Sequence, residues 1–514
     1  MSSGPAAPDW PAAPQALPRH QGPAEGLPLH DSATLRRWEA EAARGLPPHA
    51  LMARAGAAVA RLGRALAPHA RQVWVLAGAG NNGGDGLVAA RLLQAAGLRV
   101  RVWLAAEPAS GDARWALAQA RAAGLAVLPG GPPQPPADLG PDDLVIDALL
   151  GLGLSADRAP AGPVAAAMDA LDRLPAGILA VDLPSGLIAD TGGCAGRAVR
   201  ARWTLSLLGL KPGLWTAAGR DHAGAIWHED LGAPAPAEAT TPRLLDAPAC
   251  AGRWPQRPHA AHKGSQGDLW AVGGAAGLSG AIELAARAGL AAGAGRIHAV
   301  RLDPAAAPPS HPALMSRTPQ ALQGEALARA TVVAGCGGGA AIGAWLPALI
   351  HGAPRLLLDA DALNALAADP ALAQALRLRR TSAVLTPHPL EAARLLGCTT
   401  EAVQADRLAA VRQLAQRYGA MVVLKGSGSV LAAPDGRCAI NASGNAALAS
   451  GGTGDVLAGW IGGLWAQGLD AWDALRLGVW SHGAAADAWQ ADRGPGQPLD
   501  ALRLIEALQD LPRR

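Results

Sequence analysis

Arg71–Leu104 reads RQVWVLAGAGNNGGDGLVAARLLQAAGLRVRVWL, and this stretch decides the fold of the first half of the chain. QVWVLA is a short apolar run suited to a buried strand, and GAGNNGGDG follows as a glycine loop. LVAARLLQAAG then carries apolar residues at helical spacing, and LRVRVWLA is a second strand. Strand, glycine loop, helix and strand open a doubly wound parallel sheet, in which ligands bind beyond the carboxyl ends of the strands. Further strands are expected at Leu144–Ala148, Ile178–Val181 and Thr204–Leu208. Three strand ends run into loops that mix glycine with an acid or amide: GNNGGDG, DALLGLGL from Asp147, and DLPSGL from Asp182. One such loop is a plain turn; three together point to a site. Side-chain oxygens of Asn82, Asp147 and Ser185 are candidates for a monovalent cation, since oxygen suits hard ions, although spacing alone leaves that open.

Working outward, residues 1–29 are rich in Pro and Ala without periodicity and read as a flexible tail. Two helices are expected between His30 and Ala67, and a first domain over residues 30–232. Residues 233–247, APAPAEATTPRLLDA, have no clear period and read as a linker. A second α/β unit is expected over 248–514, where DLWAVGG, RIHAVRLD, TVVAG, RLLLD, AVLTP and MVVLK alternate with helical stretches and imply a mainly parallel sheet. Asp359, Asp361, Asn364, His388, Lys425 and Asp455 all fall at its strand ends or loops.

Ser450–Gly459, SGGTGDVLAG, is the chemically richest loop. Its glycines allow backbone amides to converge at a helix start, which attracts phosphate or a developing anion. Asp455 beside that cradle reads either as an acid–base group for the transferred phosphoryl acceptor or as a helix cap. On this stretch alone the two readings are even.

With 514 residues, two or three domains are expected. Half the residues are hydrophobic and 17% charged, which excludes a disordered chain. The net charge of +3 and sixteen Trp scattered away from basic clusters argue against nucleic acid and membrane surfaces as partners. Of 44 basic residues only three are lysine, Lys211, Lys263 and Lys425, each beside glycine or Pro-Gly. Where Arg fills nearly every basic position, a Lys in a glycine loop suggests a need for a compact ammonium. Five Cys show no CxxC spacing or paired framework, which fits a reducing compartment and a cytoplasmic protein. No secretory signal or apolar run long enough to span a bilayer is visible.

GAGNNGGDG, DALLGLGL and DLPSGL resemble the NAD(P)H-hydrate epimerase family. HKGSQGDLWAVGG, LDADALN, LTPHPLEAARLLG, LKGSGS and GNAALASGGTGDVLAG resemble the NAD(P)H-hydrate dehydratase family. In this order the two resemble the bifunctional repair enzymes that act on hydrated nicotinamide cofactors, from about residue 30 to the end. The resemblance implies a Rossmann-like epimerase domain followed by a ribokinase-like dehydratase domain. It implies R/S epimerisation of NADHX and NADPHX, then dehydration of the S epimer with ADP, or ATP, as phosphoryl donor. Carried over by motif, Asn81, Asn82, Gly83, Gly84 and Asp85 would contact the hydrate, as would Gly151, Leu152, Gly153, Leu154, Ser155, Ala156, Asp157 and Asp182. Potassium would sit on Asn82, Asp147 and Ser185. In the second domain Ala281, Gly337, His388 and Asp455 would contact the hydrate, while Lys425, Gly426, Ser427, Gly428, Ser429 and Gly454 would hold the adenine nucleotide with magnesium. Asp182 and Asp455 would be catalytic.

Three segments depart from the families' patterns. Met52-Ala-Arg-Ala-Gly56 stands for MENAG, Gly335-Cys-Gly-Gly-Gly339 for GPGLG, and Leu390 for the glycine of TPHPGE. A ribokinase-like small-molecule kinase with a non-catalytic N-terminal binding module is the competing reading, and a homo-oligomer is expected in either case.

Overall fold

The computed structural model describes residues 15–16, 25–155, 157–236, 242–305, 308–322 and 324–512. They divide into two compact units, one of residues 15–16 and 28–236, the other of residues 25–27 and 242–512.

In the first unit, the strands Gln72–Ala77, Arg99–Leu104, Ala126–Pro129, Leu144–Ala148, Gly177–Val181, Trp203–Leu207 and Ala225–Glu229 pair side by side. Numbered by sequence, their spatial order is 3-2-1-4-5-6-7, and every one of these pairs is parallel. The chain reverses its direction of winding between Gln72–Ala77 and Leu144–Ala148, so their carboxyl ends flank the crevice where doubly wound sheets bind ligands. The central strands are wholly buried apolar runs, as parallel strands covered on both faces must be. The strand expected at Thr204–Leu208 runs Trp203–Leu207 instead, ended by Leu208 at φ 64°.

The helix after the first strand begins at Asn81, earlier than its apolar period indicates, and takes Gly83, Gly84, Asp85 and Gly86 into its first two turns. These glycines serve close packing more than a turn. A Cβ on Gly83 would lie 1.9 Å from the Gly78 carbonyl, one on Gly84 would lie 2.4 Å from Met52 Cε, and one on Gly86 2.5 Å from the Ala148 Cβ. Helices Ser32–Ala43 and Ala50–Leu66 precede the sheet; Asp31 caps the first by accepting from the Thr34 amide at 2.7 Å. Most of the stretch read as a flexible tail lies outside the described residues. At its end, Leu29 is fully buried and bridges Leu210; a single apolar residue carries no periodicity that sequence could register.

In the second unit the order, from one edge, is Met315–Arg317, Arg296–Arg301, Asp268–Gly273, Thr331–Ala334, Arg355–Leu358, Ala383–Leu385 and Met421–Leu424, all parallel. Val430–Ala432 and Cys438–Asn441 extend it as an antiparallel meander. Arg243–Leu245 then pairs parallel with Cys438–Asn441, so three residues inside the stretch read as linker are a strand. Their Pro/Ala/Thr-rich surroundings hide so short an element. The switch in winding falls between Asp268–Gly273 and Thr331–Ala334. Behind the sheet, helices Ser279–Ala292 and Thr453–Ala466 meet backbone to backbone: a Cβ on Gly459 would stand 1.9 Å from the Ala285 carbonyl. Trp460, fully buried on the second of these helices, donates its indole N–H to Ser481 Oγ at 2.8 Å. Among the described residues no helix is long and apolar enough to cross a membrane.

Candidate active sites

A cavity of about 1270 Å³ opens at the switch point of the first sheet. Asn81, Asn82 and Asp85 line it from the helix after the first strand, Gly151, Leu152, Gly153 and Leu154 from the loop after Leu144–Ala148, and Asp182 from the loop after Gly177–Val181. Gly83 and Gly84 sit beneath the wall and do not line it, and Ser155 and Asp157 are exposed outside it. Ala156 lies outside the described residues.

Asp182 is held at φ 67°, a left-handed conformation that Asp tolerates better than most residues. Its amide donates to Leu205 O at 2.8 Å, and its carboxylate accepts from the Leu207 amide at 3.1 Å and from the Lys211 ammonium. Lys211 is fully buried; it also donates to Leu207 O at 2.7 Å and Ser206 Oγ at 3.1 Å, so its three N–H groups all have acceptors. Burial pulls this ammonium below its ordinary value, and the Asp182 charge pulls the other way.

Below the cavity floor, Asp147 and Ser185 are both fully buried. The Asp147 carboxylate accepts from Ser185 N at 2.8 Å and Ser185 Oγ at 2.6 Å. Ser185 Oγ accepts from Leu150 N at 2.9 Å, and Asn82 Nδ2 donates to Leu150 O at 3.0 Å. Asn82, Asp147 and Ser185 thus meet around the Leu150 peptide. Burial pushes the Asp147 carboxyl up to about 6, against the pull of those hydrogen bonds.

Sequence reasoning missed four polar residues of this cavity: Glu39, His49 and Asp112 on its wall, and Lys211 behind Asp182. His49 Nδ1 lies 2.5 Å from Asp112 Oδ1, and its ring stacks on Trp115. Only Lys211 left a sequence signal, the scarcity of lysine. Lys425 shares that signal and is also in a site, whereas Lys263 is exposed. In the segment standing for MENAG, Met52 and Ala55 line the cavity but Ala53 and Arg54 do not; Arg54 donates to Leu231 O at 2.7 Å.

At the switch point of the second sheet, Asp455 lies in the first turn of helix Thr453–Ala466. Gly452 at φ 87° is the helix cap, with no side-chain cap bond, so Asp455 does not cap. Burial, then the charge of Asp359, pushes its carboxyl up to about 6. Cys336 follows the strand Thr331–Ala334, and its Sγ, an Asp359 oxygen and an Asp455 oxygen all lie within 4.8 Å of one another. Burial, then the two carboxylates, raises the Cys336 thiol well above its ordinary value, so it stays protonated. Asp359 accepts from Lys425 Nζ and Thr386 Oγ1, at 2.8 and 2.7 Å. A Cβ on Gly454 would lie 3.5 Å from Lys425 Nζ, which places that ammonium at the helix start. His482, fully desolvated and pushed down to about 4, meets Thr453 O through Nε2 at 2.9 Å and anchors the same turn.

Gly337, at φ 58°, adjoins Ala281: a Cβ there would stand 3.0 Å from the Ala281 Cβ. His388 caps helix Pro389–Leu396, accepting at Nδ1 from the Leu390 and Glu391 amides, and leaves Nε2 3.3 Å from Glu391 Oε1. The loop Gly426–Ser429 is shaped by buried Arg407, which donates to the Leu424 and Lys425 carbonyls at 3.1 Å, and Gly426 and Gly428 take positive φ. Lys425, Gly454 and Asp455 come together at one helix start, with Cys336 and Gly337 against them.

Two doubly wound α/β units in tandem, each with carboxylates and a lysine paired to one of them at its switch point, define a two-centre enzyme acting on small molecules. Residues 48–213 match the family of YjeF-related protein N-termini, and residues 269–510 match the NAD(P)H-hydrate dehydratase family. The bifunctional NAD(P)H-hydrate repair enzyme Nnr of Escherichia coli is 40% identical over 491 residues, 92% of each chain. That of Moorella thermoacetica is 39% identical over 458 residues, 82% of this chain and 84% of its own. A solved NAD(P)H-hydrate dehydratase from Bacillus subtilis, co-crystallised with ATP and Mg2+, is 27% identical, with a TM-score of 0.46, over 53% of this chain and 97% of its own. The chain belongs to the family of bifunctional NAD(P)H-hydrate repair enzymes.

Proposed function

We propose that the first cavity epimerises R and S NADHX and NADPHX, and that the second site dehydrates the S epimer to NADH or NADPH with ADP, giving AMP and phosphate. The observation that carries the second half is Asp455: an uncapping, half-desolvated carboxylate at a helix start, beside an ammonium. Hydroxide leaves a saturated ring carbon poorly, and phosphoryl transfer to that hydroxyl makes it a good leaving group. Asp455 takes the hydroxyl proton, while the amides at Thr453 and Gly454 and the Lys425 ammonium offset charge on the phosphoryl oxygens. The ring nitrogen lone pair then expels phosphate, which is the cofactor's own chemistry. Ala281, Gly337 and His388 form the hydrate side of this site, and Lys425 to Ser429 with Gly454 the nucleotide side.

An all-oxygen set at Asn82, Asp147, Ser185 and the Leu150 carbonyl, around a buried carboxylate without a cationic partner, fits potassium. Bound there, potassium would neutralise Asp147 and steady the loop that carries Gly151 to Leu154. The second site does not fit a protein-held magnesium. Its third donor is a protonated thiol and Asp359 is already neutralised by Lys425, so magnesium enters on the nucleotide phosphates. Five free thiols support a cytoplasmic setting.

The test uses the full chain, a mixed R/S NADHX preparation and recovery of reduced-nicotinamide absorbance with ADP, ATP or neither. Full recovery with one nucleotide supports both activities and names the donor; no recovery with either refutes the reading. Asp182→Ala should confine recovery to the S fraction.

A further inference from the structure

We propose that Asp85 is the proton donor of the epimerase site, working opposite Asp182, and that Lys211 is the positioning residue that holds Asp182 as the proton acceptor. The proposal deepens the epimerase reading of the first cavity and rests on it.

Asp85 lines the cavity with its side chain only 9% exposed. Among the described residues, no side-chain or backbone donor hydrogen-bonds to its carboxyl, which is left to the cavity. The charged groups that face it come from every neighbouring element. Glu39 stands on helix Ser32–Ala43, Asp112 at the start of helix Gly111–Ala122, and Asp182 on the loop after Gly177–Val181. Of the basic side chains at the cavity, Lys211 meets Asp182, His49 meets Asp112 and Arg36 donates to Leu152 O, while Arg158 also lines the wall. Burial first, then Asp182, Glu39 and Asp112, lifts the Asp85 carboxyl well above its ordinary value, which favours its protonated form. Asp182, by contrast, accepts from a buried ammonium and a backbone N–H. Two carboxyls on one cavity, one hydrogen-bonded to a buried ammonium and the other set among acids, have the surroundings of an acid–base pair.

The substrate makes this pairing useful. The hydrated carbon bears both a hydroxyl and the ring nitrogen, so it is a hemiaminal. Asp182 takes the hydroxyl proton; the oxygen lone pair forms C6=O as the C6–N1 bond breaks. The released electron pair stays on N1, which takes the proton from Asp85. The open aldehyde turns about its C5–C6 bond and N1 adds back to the other face. N1 returns its proton to Asp85 and the new alkoxide regains one from Asp182. Nothing is oxidised or consumed, and no nucleotide is needed.

The experiment follows purified R-NADHX in full-length protein without nucleotide, scoring the epimer ratio by chromatography across pH 5–10. In the wild type, activity needs Asp182 ionised and Asp85 protonated, so the profile is a bell. Asp85→Asn should lower the catalysed rate about 100-fold or more, with little change in KM, and erase the alkaline limb; Asp85→Glu should keep that limb and part of the rate. Lys211→Met should move the acid limb to visibly higher pH while the rate recovers at high pH, and Lys211→Arg should restore the limb. Should Lys211→Met not fold, the charge-neutral pair Lys211→Met with Asp182→Asn reports on the fold by melting. In that case Lys211→Arg against Lys211→Gln carries the pH test. Asp85→Asn with the wild-type rate and both limbs, or Lys211 variants with an unmoved acid limb, overturn the proposal. An unaffected Asp182→Ala would instead overturn the site reading on which it rests.

Discussion

Replacing Asp455 by Asn should stop dehydration and, at the same time, stabilise the second unit. Its carboxyl moves from 3.8 to about 6 on folding, chiefly by desolvation. A tenfold change in a proton-binding constant is worth about 1.36 kcal/mol, so holding Asp455 ionised in the folded protein costs about 3 kcal/mol. The folded state binds the extra proton between pH 4 and 6, so by linkage this cost is absent below pH 4, grows through that window and is complete above it. Asn has the same shape and no charge. At pH 8 the variant should therefore gain about 2–3 kcal/mol, a rise of roughly 4–9 °C in Tm for a domain of this size, and the gain should vanish by pH 4. The assay is melting of nucleotide-free protein at pH 4, 6 and 8, followed by tryptophan fluorescence, beside turnover of S-NADHX, which should drop by about 10²–10⁴. A capping role predicts something different, because Asn caps as well as Asp: no pH-dependent gain and no loss of turnover. A variant less stable than wild type at pH 8, or a gain that persists unchanged at pH 4, would refute the desolvated-base argument.

Asp147→Asn should abolish any dependence of epimerisation on potassium. In the wild type, potassium should raise the melting temperature above pH 6, where Asp147 is ionised, and lose that effect as pH falls through about 6. Lys425→Met leaves Asp359 buried beside Thr386 without its cation and should cost about 3–5 kcal/mol. Adding Asp359→Asn should recover most of that stability but not nucleotide affinity, measured by calorimetry with ADP. Gly459→Ala drives a methyl into the Ala285 carbonyl and should cost about 1–3 kcal/mol. It should also lower kcat, because Asp455 rides on the displaced helix.

The sheets were legible because parallel strands buried on both faces read as continuous apolar runs; QVWVLA and TVVAG admit no other assignment. The alternation with helices pointed to a doubly wound, mainly parallel sheet, and so to the strand ends at which the motif residues fall. Less legible were elements set by close approach or by single contacts. The glycines of NNGGDG look like a turn, yet they are helical residues pressed on Gly78, Met52 and Ala148. Arg243–Leu245 is too short to show a period, and Leu29 is one residue. At the sites, motifs picked out groups that share a loop but not groups that converge from distant helices. Glu39 and Asp112 look like any solvated acid in a helix, since nothing local distinguishes a carboxylate facing a cavity. Lys211 left a trace only because this chain otherwise avoids lysine.

The two sites use one device in opposite senses. Each holds a lysine clamped on one carboxylate, Lys211 on Asp182 and Lys425 on Asp359, with a second, desolvated carboxyl nearby: Asp85 in one, Asp455 in the other. In the epimerase cavity no anion arrives beyond the substrate's own remote phosphates, so a clamped carboxylate can serve as base and the unclamped carboxyl can keep its proton and serve as acid. In the dehydratase site the incoming phosphoryl group brings negative charge to the reacting oxygen itself. A carboxylate neutralised by Lys425 adds little repulsion there and holds the ammonium in place, while Asp455, with a carboxyl near 6, is ionised at neutral pH yet close enough to it to take and release a proton. On the roles proposed above, the same pair of residue types yields a base on the clamped side of one sheet and on the unclamped side of the other. What reverses the assignment is the charge that each substrate carries to the reacting atom.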